Sequence, residues 1–218
     1  MILAFETATN ICSVTFQDKE GKLHEKRTER KGSHSELLFI YVRELMNEHH
    51  FKMADLDAVL VSTGPGSYTG LRIAASGVKG MLFGLDTDIY AGNTLAGFAQ
   101  SAGTGTIHSV INARRKHLYH QQFEGSEGLK AASDSEILEL TDIEKMLKPG
   151  DKIIGTGIDR LDANGLEGVK IFDSTQISAN ALVALFNSDS VSGFFTKTTA
   201  EELESNYLTS SQVNNTKT

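Results

Sequence analysis

Apolar and polar positions sort the first hundred residues into a regular series of strands and helices. Ile2-Leu3-Ala4-Phe5-Glu6 is a short apolar run closed by an acid and reads as a buried strand, with Ile11–Gln17 as a second. Asp18-Lys19-Glu20-Gly21-Lys22 makes a hairpin turn into a third strand that ends near Thr28. Ser33-His34-Ser35-Glu36 is a capping-box signature and starts a helix that runs to about His49. That helix carries Leu37, Leu38, Tyr41, Val42, Leu45 and Met46, widened by Phe39 and Ile40, which is more apolar surface than one sheet face needs. A strand over 57–62 follows, then a glycine-rich helix over 70–85 and a short strand over 86–91. Asn93 or Thr94 caps a further helix to about Ala102, so the order is β-β-β-α-β-α-β-α.

The glycine-rich segment is the unusual one. Gly64-Pro65-Gly66 breaks the preceding strand, and Ser67 or Thr69 caps the helix that follows. Gly70, Gly77, Gly80 and Gly84 each cost that helix roughly 0.5–1 kcal/mol relative to alanine, so packing must offset them. At 3.6 residues per turn, Leu71, Ala75, Val78, Leu82 and Leu85 form a core seam. Gly70, Ala74, Gly77, Met81 and Gly84 form a stripe nearly bare of side chain, and Ile73, Ser76, Gly80 and Phe83 a third. Arg72 and Lys79 are the only charges, which leaves almost no solvent face. Two compatible readings follow: a central helix buried in its own domain, or a small-residue stripe that admits another helix at close range.

A boundary is expected at Ser101-Ala102-Gly103-Thr104-Gly105, after which the opening pattern repeats. A strand over 106–111, the polar loop Asn112-Ala113-Arg114-Arg115-Lys116 and a strand over 117–123 repeat the strand-loop-strand spacing that begins at Glu6, a sign of internal duplication. Strands over 136–140 and 152–154, a helix over 142–147, the loop Gly155-Thr156-Gly157, a strand over 169–172 and a helix over 178–186 complete the second half. The expected division is an N-terminal domain over 1–102, a reduced C-terminal domain over 103–208, and a polar, disordered tail over 209–218.

The chain of 218 residues is long enough to bury a sizeable core. A net charge of −7 argues against a self-sufficient nucleic-acid binder, without excluding a local basic patch. The single cysteine, Cys12, excludes an intramolecular disulfide framework, fits a reducing cytosol, and sits in an apolar strand as a core residue. The N-terminus has no basic region before its apolar run, so it is not a signal peptide, and no segment reads as a membrane span. A cytoplasmic protein is expected.

Candidate chemistry is sparse. A glycine turn between strand and helix can hold an anion through outward N–H groups, which nominates Gly66, Ser67, Thr69 and Arg72, with Gly155 and Gly157 in the second half. Yet the turn is neither a P-loop nor a G-x-G-x-x-G, and a structural turn is the plainer reading. Glu6 closes a central strand, where sites of sheet folds gather, although a solvated or capping acid explains it as well. The seven histidines form no metal-binding pair and no serine sits in a nucleophile elbow, so neither a metal site nor a peptidase is expected. Arg114, Arg115 and Lys116, with Lys26, Arg27, Arg30 and Lys31, form either a basic rim for RNA backbone or an ordinary solvated cluster.

The run Val61-x-x-Gly64-Pro65-Gly66-Ser67-Tyr68-Thr69-Gly70-Leu71-Arg72-Ile73 resembles the signature of the TsaB (YeaZ-like) family, in which the tyrosine position is more often phenylalanine. The opening Ile2-Leu3-Ala4-Phe5-Glu6-Thr7-Ala8-Thr9 and the His34-Ser35-Glu36-Leu37-Leu38 helix are similar to that family's start. Val110-Ile111-Asn112-Ala113-Arg114-Arg115-Lys116-His117-Leu118-Tyr119 is similar to its second-domain motif, with Asn112 where aspartate is usual. Tyr207-Leu208-Thr209 resembles a terminal Tyr-Leu-Arg with the arginine lost.

The resemblance implies an α/β fold of two tandem actin/sugar-kinase/Hsp70-like (ribonuclease H-like) domains with mixed sheets. It implies a non-catalytic scaffold in threonylcarbamoylation of adenosine 37 of tRNAs reading codons beginning with A. The implied partners are a TsaD-like catalytic subunit, a TsaE-like ATPase and, in isolation, a second copy; tRNA is met only through the complex. The shared surface is expected on the first two helices, at Leu38, Tyr41, Val42, Leu45, Gly70, Ala74, Gly77, Met81 and Gly84. No cofactor is expected on this chain alone, with ATP or ADP placed at the complex interface. Kinases of the superfold carry an Asp-x-Gly loop that Glu6-Thr7-Ala8 replaces here. The alternative is an ATP-binding phosphotransferase or nucleotide hydrolase of the same superfold, using Glu6 and the two glycine turns.

Overall fold

The computed structural model describes residues 1–30, 32, 34–188 and 191–205. Lys31, Ser33 of the capping box, Tyr207-Leu208-Thr209 and the tail lie outside the described residues.

Two six-stranded mixed sheets are built on one plan. In the first, β1 (Ile2–Glu6), β2 (Ile11–Gln17) and β3 (Leu23–Glu29) run antiparallel, and β4 (Ala58–Gly64) and β5 (Asp88–Asn93) continue parallel to β1. In the second, β6 (Gly105–Asn112), β7 (His117–Gly125) and β8 (Leu129–Ala131) are the antiparallel set. β9 (Glu136–Glu139) also pairs with β7, and β10 (Lys152–Gly155) and β11 (Lys170–Phe172) run parallel to β6. Five strands therefore repeat in the same order, which is the duplication expected from the spacing. The centre of the first sheet is read from apolar runs because β1 and β4 are buried on both faces. β3 lies at an edge, is mostly polar and is partly exposed, as an edge strand should be.

Helices cover both faces. α1 (His34–His49) and α2 (Tyr68–Met81) lie over one face of the first sheet, where Leu38, Val42, Leu45, Ala74 and Val78 pack on Leu3, Phe5, Val14, Val59 and Val61. The far face meets α5 (Ala179–Phe186) through Ala179, Leu182 and Val183 against Ile2, Ala4, Ala58 and Leu60. α3 (Thr94–Ala102) joins the halves, since Leu95, Phe98 and Ala99 share a core with Ile107, Ile111, Phe123 and Ile154 of the second sheet. α4 (Leu140–Met146) covers that sheet's outer face with Ile143. No helix of the described residues is long and apolar enough to cross a membrane.

Three expectations change. The chain is not divided in space at residue 102. After the second sheet it returns, placing α5 beneath the first sheet and adding β12 (Phe195–Thr198), preceded by α6 (Val191–Phe194), as an antiparallel edge on β5. A four-residue edge strand carries too little periodicity to be read from sequence.

The glycine-rich helix also begins two residues earlier and stops at Met81, with Leu82 as its cap. Gly84 lies beyond it at φ +75°, so it supports a left-handed turn rather than a helical stripe.

Third, the bare stripe is filled by the same chain. A Cβ on Gly77 would stand 3.3 Å from Leu38 Cδ2 and Phe39 Cζ of α1, and one on Gly70 only 1.9 Å from the carbonyl oxygen of Thr7. Leu38, Val42, Leu45, Gly70, Ala74 and Gly77 are all buried within the fold, and burying a leucine is worth about 1.5–3 kcal/mol. Of the expected interface residues on these helices, Tyr41 and Met81 keep surface.

Candidate functional site

The C-terminal ends of β1, β4, β6 and β10 point at a cleft of about 1570 Å³ between the two sheets. Its walls are loops that the fold supplies in equivalent pairs. From the first half come Ala8, Thr9 and Asn10 after β1, and Gly66, Ser67, Tyr68 and Thr69 after β4. From the second come Asn112, Ala113, Arg114 and Arg115 after β6, and Gly155 to Arg160 after β10. The two sets of sequence candidates, glycine turns and basic loop, thus meet in one place. Sites in sheet folds gather at this end of the strands.

Glu6 and Asn112 occupy matching positions as the last residues of β1 and β6. Each side chain accepts the backbone N–H two residues on: Ala8 N–H donates to Glu6 Oε1 at 2.7 Å, and Arg114 N–H to Asn112 Oδ1 at 3.0 Å. Such local bonds stiffen a loop by giving its backbone a partner outside regular structure. Their surroundings differ. Asn112 is exposed and also accepts from Arg160 at 2.6 Å. Glu6 is buried, takes a hydrogen bond from Ser62 Oγ of β4, and stands behind the wall rather than in it. It is therefore neither a solvated acid nor a helix cap. Burial pushes its carboxyl up to about 7, although the Ser62 and Ala8 hydrogen bonds pull it down.

The glycine turn is bonded to the loop after β1 and to the start of α3. Ser67 N–H donates to Ala8 O at 2.6 Å, Thr7 Oγ1 donates to Gly70 O at 2.8 Å, and Gly64 N–H donates to Thr94 Oγ1 at 3.1 Å. Ser67 Oγ caps α2 by accepting from Gly70 N–H at 3.3 Å. A Cβ on Gly66 would lie 2.6 Å from Ala8 O, so glycine there permits the β1 loop to lie against the turn. Gly155 ends β10 in close approach to strand β6, where a Cβ would come within 1.8 Å of Val110 O. Several N–H groups that a phosphate would use are already bonded within the chain.

Gly66, Ser67, Thr69, Gly155, Gly157, Arg114 and Arg115 line the cleft, whereas Glu6, Arg72 and Lys116 do not. Arg72 is exposed and stacks over the Tyr68 ring at 4.0 Å. Arg114 and Arg115 sit at the hairpin between β6 and β7 with φ of +82° and +48°. Lys26 and Arg27 of the wider basic group are engaged elsewhere, and Lys31 lies outside the described residues. Lys26 pairs with Glu44 and Glu48, and Arg27 donates to Ser174 O and Ile177 O on the segment entering α5.

Sequence reading missed Ser62, Arg160 and His108. The signal for Ser62 and His108 was a polar residue set within an otherwise buried strand. His108 Nδ1 lies 3.0 Å from His120 Nε2, and His108 Nε2 lies 3.4 Å from Asp151 Oδ2, inside the second sheet's outer layer. Burial pushes His120 down to about 4. Among the described residues no three His, Cys, Asp or Glu side chains converge as metal ligands, and burial pushes the Cys12 thiol up to about 12.

A family model described as TsaD: tRNA N6-adenosine threonylcarbamoyltransferase matches residues 25–206. The tRNA threonylcarbamoyladenosine biosynthesis protein TsaB of Buchnera aphidicola subsp. Baizongia pistaciae is 25% identical over 200 residues, covering 87% of this chain and 90% of that protein. The Bacillus subtilis protein of the same name is 30% identical over 155 residues, covering 69% of this chain and 67% of the relative. Among solved structures, YeaZ from Pseudomonas aeruginosa superposes with a TM-score of 0.78 at 25% identity, covering 95% of this chain and 99% of that one. Another Pseudomonas aeruginosa structure, of an uncharacterized protein similar to peptidase YeaZ, gives a TM-score of 0.80 at the same identity and coverage. By these matches the chain belongs to that family and to its TsaB (YeaZ-like) members.

Proposed function

We propose that this chain serves threonylcarbamoylation of adenosine 37 in tRNAs that read codons beginning with A, as a scaffold and not as the transferase. The observation that carries the scaffold reading is the outer surface of α1 and α2. Beyond the residues buried on the sheet, Phe39 of α1 is 47% exposed and Phe83, just past the end of α2, is 85% exposed, while Tyr41, Ile73 and Met81 keep part of their surface. An apolar helical surface of this kind suits a helix pair from another subunit. The occupant in this reading is a TsaD-like catalytic subunit; in isolation a second copy competes for the same face through an isologous contact. A TsaE-like ATPase joins the pair, ATP or ADP sits at the complex interface, and tRNA is met through the complex.

The glycine turn, with its N–H groups bonded to neighbouring segments, supports a role without phosphoryl transfer. The alternative, a phosphotransferase or nucleotide hydrolase in the interlobe cleft, would need the turn to release its internal partners.

Two measurements test the proposal. Depleting the protein in its host and reading tRNA nucleosides by mass spectrometry should lower threonylcarbamoyladenosine, and an unchanged level would sink the pathway assignment. Phe39→Asp and Phe83→Asp together should abolish pairing with the TsaD-like subunit in light scattering while the chain stays folded. Intact pairing would remove α1 and α2 as the docking surface.

A further inference from the structure

One buried carboxyl group holds the first-half wall of the cleft. Glu6 accepts from Ala8 N–H through one oxygen and from Ser62 Oγ through the other, so it ties the loop after β1 to β4. Ala8 O in turn accepts from Ser67 N–H at 2.6 Å, and Thr7 Oγ1 donates to Gly70 O at 2.8 Å. The loop and the turn that launches α2 are therefore anchored through the same short segment. Both line the cleft, while Glu6 itself is only 1% exposed.

Among the described residues, nothing packed around Glu6 neutralises its charge. On β2, Cys12 is the titratable neighbour, and its thiol stays neutral because burial, with the Glu6 charge added, pushes it up to about 12. Ser13, opposite Glu6 in the β1–β2 ladder, donates instead to Glu25 of β3, a second acid, which also accepts from Ser178 and Asn180. Arg27 of β3 is directed to the carbonyl oxygens of Ser174 and Ile177. His34 of α1 bonds Ile11 O, and Arg72 of α2 is exposed over Tyr68. α3 and α5 carry no ionisable side chain. None of the ion pairs among the described residues includes Glu6.

We infer that Glu6 is a proton-controlled latch: neutral, it holds the 7–10 loop and the 66–70 turn against β4, and ionised, it releases them toward the cleft. An uncompensated carboxylate in a dry site is stabilised by water, and opening the loop is the way to admit it. The neutral acid keeps the Ala8 N–H bond on its carbonyl oxygen and donates its proton to Ser62 Oγ, so the closed wall needs no counter-ion. The latch involves no partner, and its failure would leave the docking reading untouched.

Amide hydrogen exchange on the full chain, corrected for intrinsic rates, tests this at Ala8 and Ser67. If the carboxyl titrates at about 7 when closed and at its ordinary 4.5 when open, opening rises about tenfold between about pH 6 and about pH 8, then levels off. Glu6→Gln should remove that rise. Ser62→Ala keeps the carboxyl but removes its tie to β4, so opening at Ala8 and Ser67 should already be raised at pH 6. In the wild-type chain the infrared band of the protonated carboxyl should vanish with the same midpoint. Equal protection across the range in the wild type, the same rise in Glu6→Gln, or a carboxyl already ionised at pH 6 would each overturn the latch.

Discussion

Gly77 of α2 faces Leu38 of α1 so closely that a Cβ at position 77 would stand 3.3 Å from Leu38 Cδ2. The contact lies inside one chain, so the helix pair is locked by side-chain volume and not by a free stripe awaiting a partner.

Gly77→Leu should therefore destabilise the monomer itself, by about 1–3 kcal/mol through overpacking, rather than act only on assembly. Gly77→Ala should change stability little, since helix propensity gains about what the tight contact loses. Urea unfolding of the two variants at matched concentration checks both. A leucine variant as stable as the parent would show that α1 and α2 have slack between them.

The turn before α2 predicts a second contrast. A Cβ at Gly70 would lie 1.9 Å from Thr7 O, backbone that cannot rotate away. Gly70→Ala should then cost about 3 kcal/mol, against about 1 kcal/mol for Ser67→Ala, which removes only the helix cap. Thermal melts should rank the variants in that order, and equal melts would mean that the loop after β1 is not fixed against the turn.

Two buried groups give opposite dependence of stability on pH. Glu6 moves from 4.5 to about 7 on folding, so the folded state holds its proton more tightly. Its contribution is lost as pH rises from 4.5 to 7 and is constant above, a difference of about 3 kcal/mol. His120 moves from 6.5 down to about 4, so the unfolded state binds the extra proton, and stability is lost as pH falls from 6.5 to 4. His108, beside it, is also pushed down by burial. In the shared window Glu6 works against His120 and His108, so the wild-type chain should depend on pH less steeply than a chain without the Glu6 carboxyl. Glu6→Gln should reveal stability that climbs with pH, and His120→Gln stability that falls. Denaturant midpoints across the window check the pair, and like slopes in both variants would refute the opposition.

The order of strands and helices through residue 125, the narrowing of two helix caps to Ser67 or Thr69 and Asn93 or Thr94, and the duplicated plan were legible because they rest on local signals. Apolar runs, turn residues and spacing act over a few positions. The cleft candidates were legible for the same reason, since glycine turns and a basic loop after strands are local features.

What only the tertiary structure decided is how those elements share space. Whether the bare face of 70–81 meets a partner or α1 depends on packing between segments some forty residues apart, and the contact of Gly77 with Leu38 answers it. The return of β12 depends on pairing with β5 about a hundred residues earlier, and that of α5 on packing against β1 and β4. Glu6 shows the same division. Its place at a strand end follows from the chain, but its burial, its bond to Ser62 and its raised carboxyl arise only when β4 is laid beside β1. Local chemistry named the residues, and desolvation by distant neighbours determined their state.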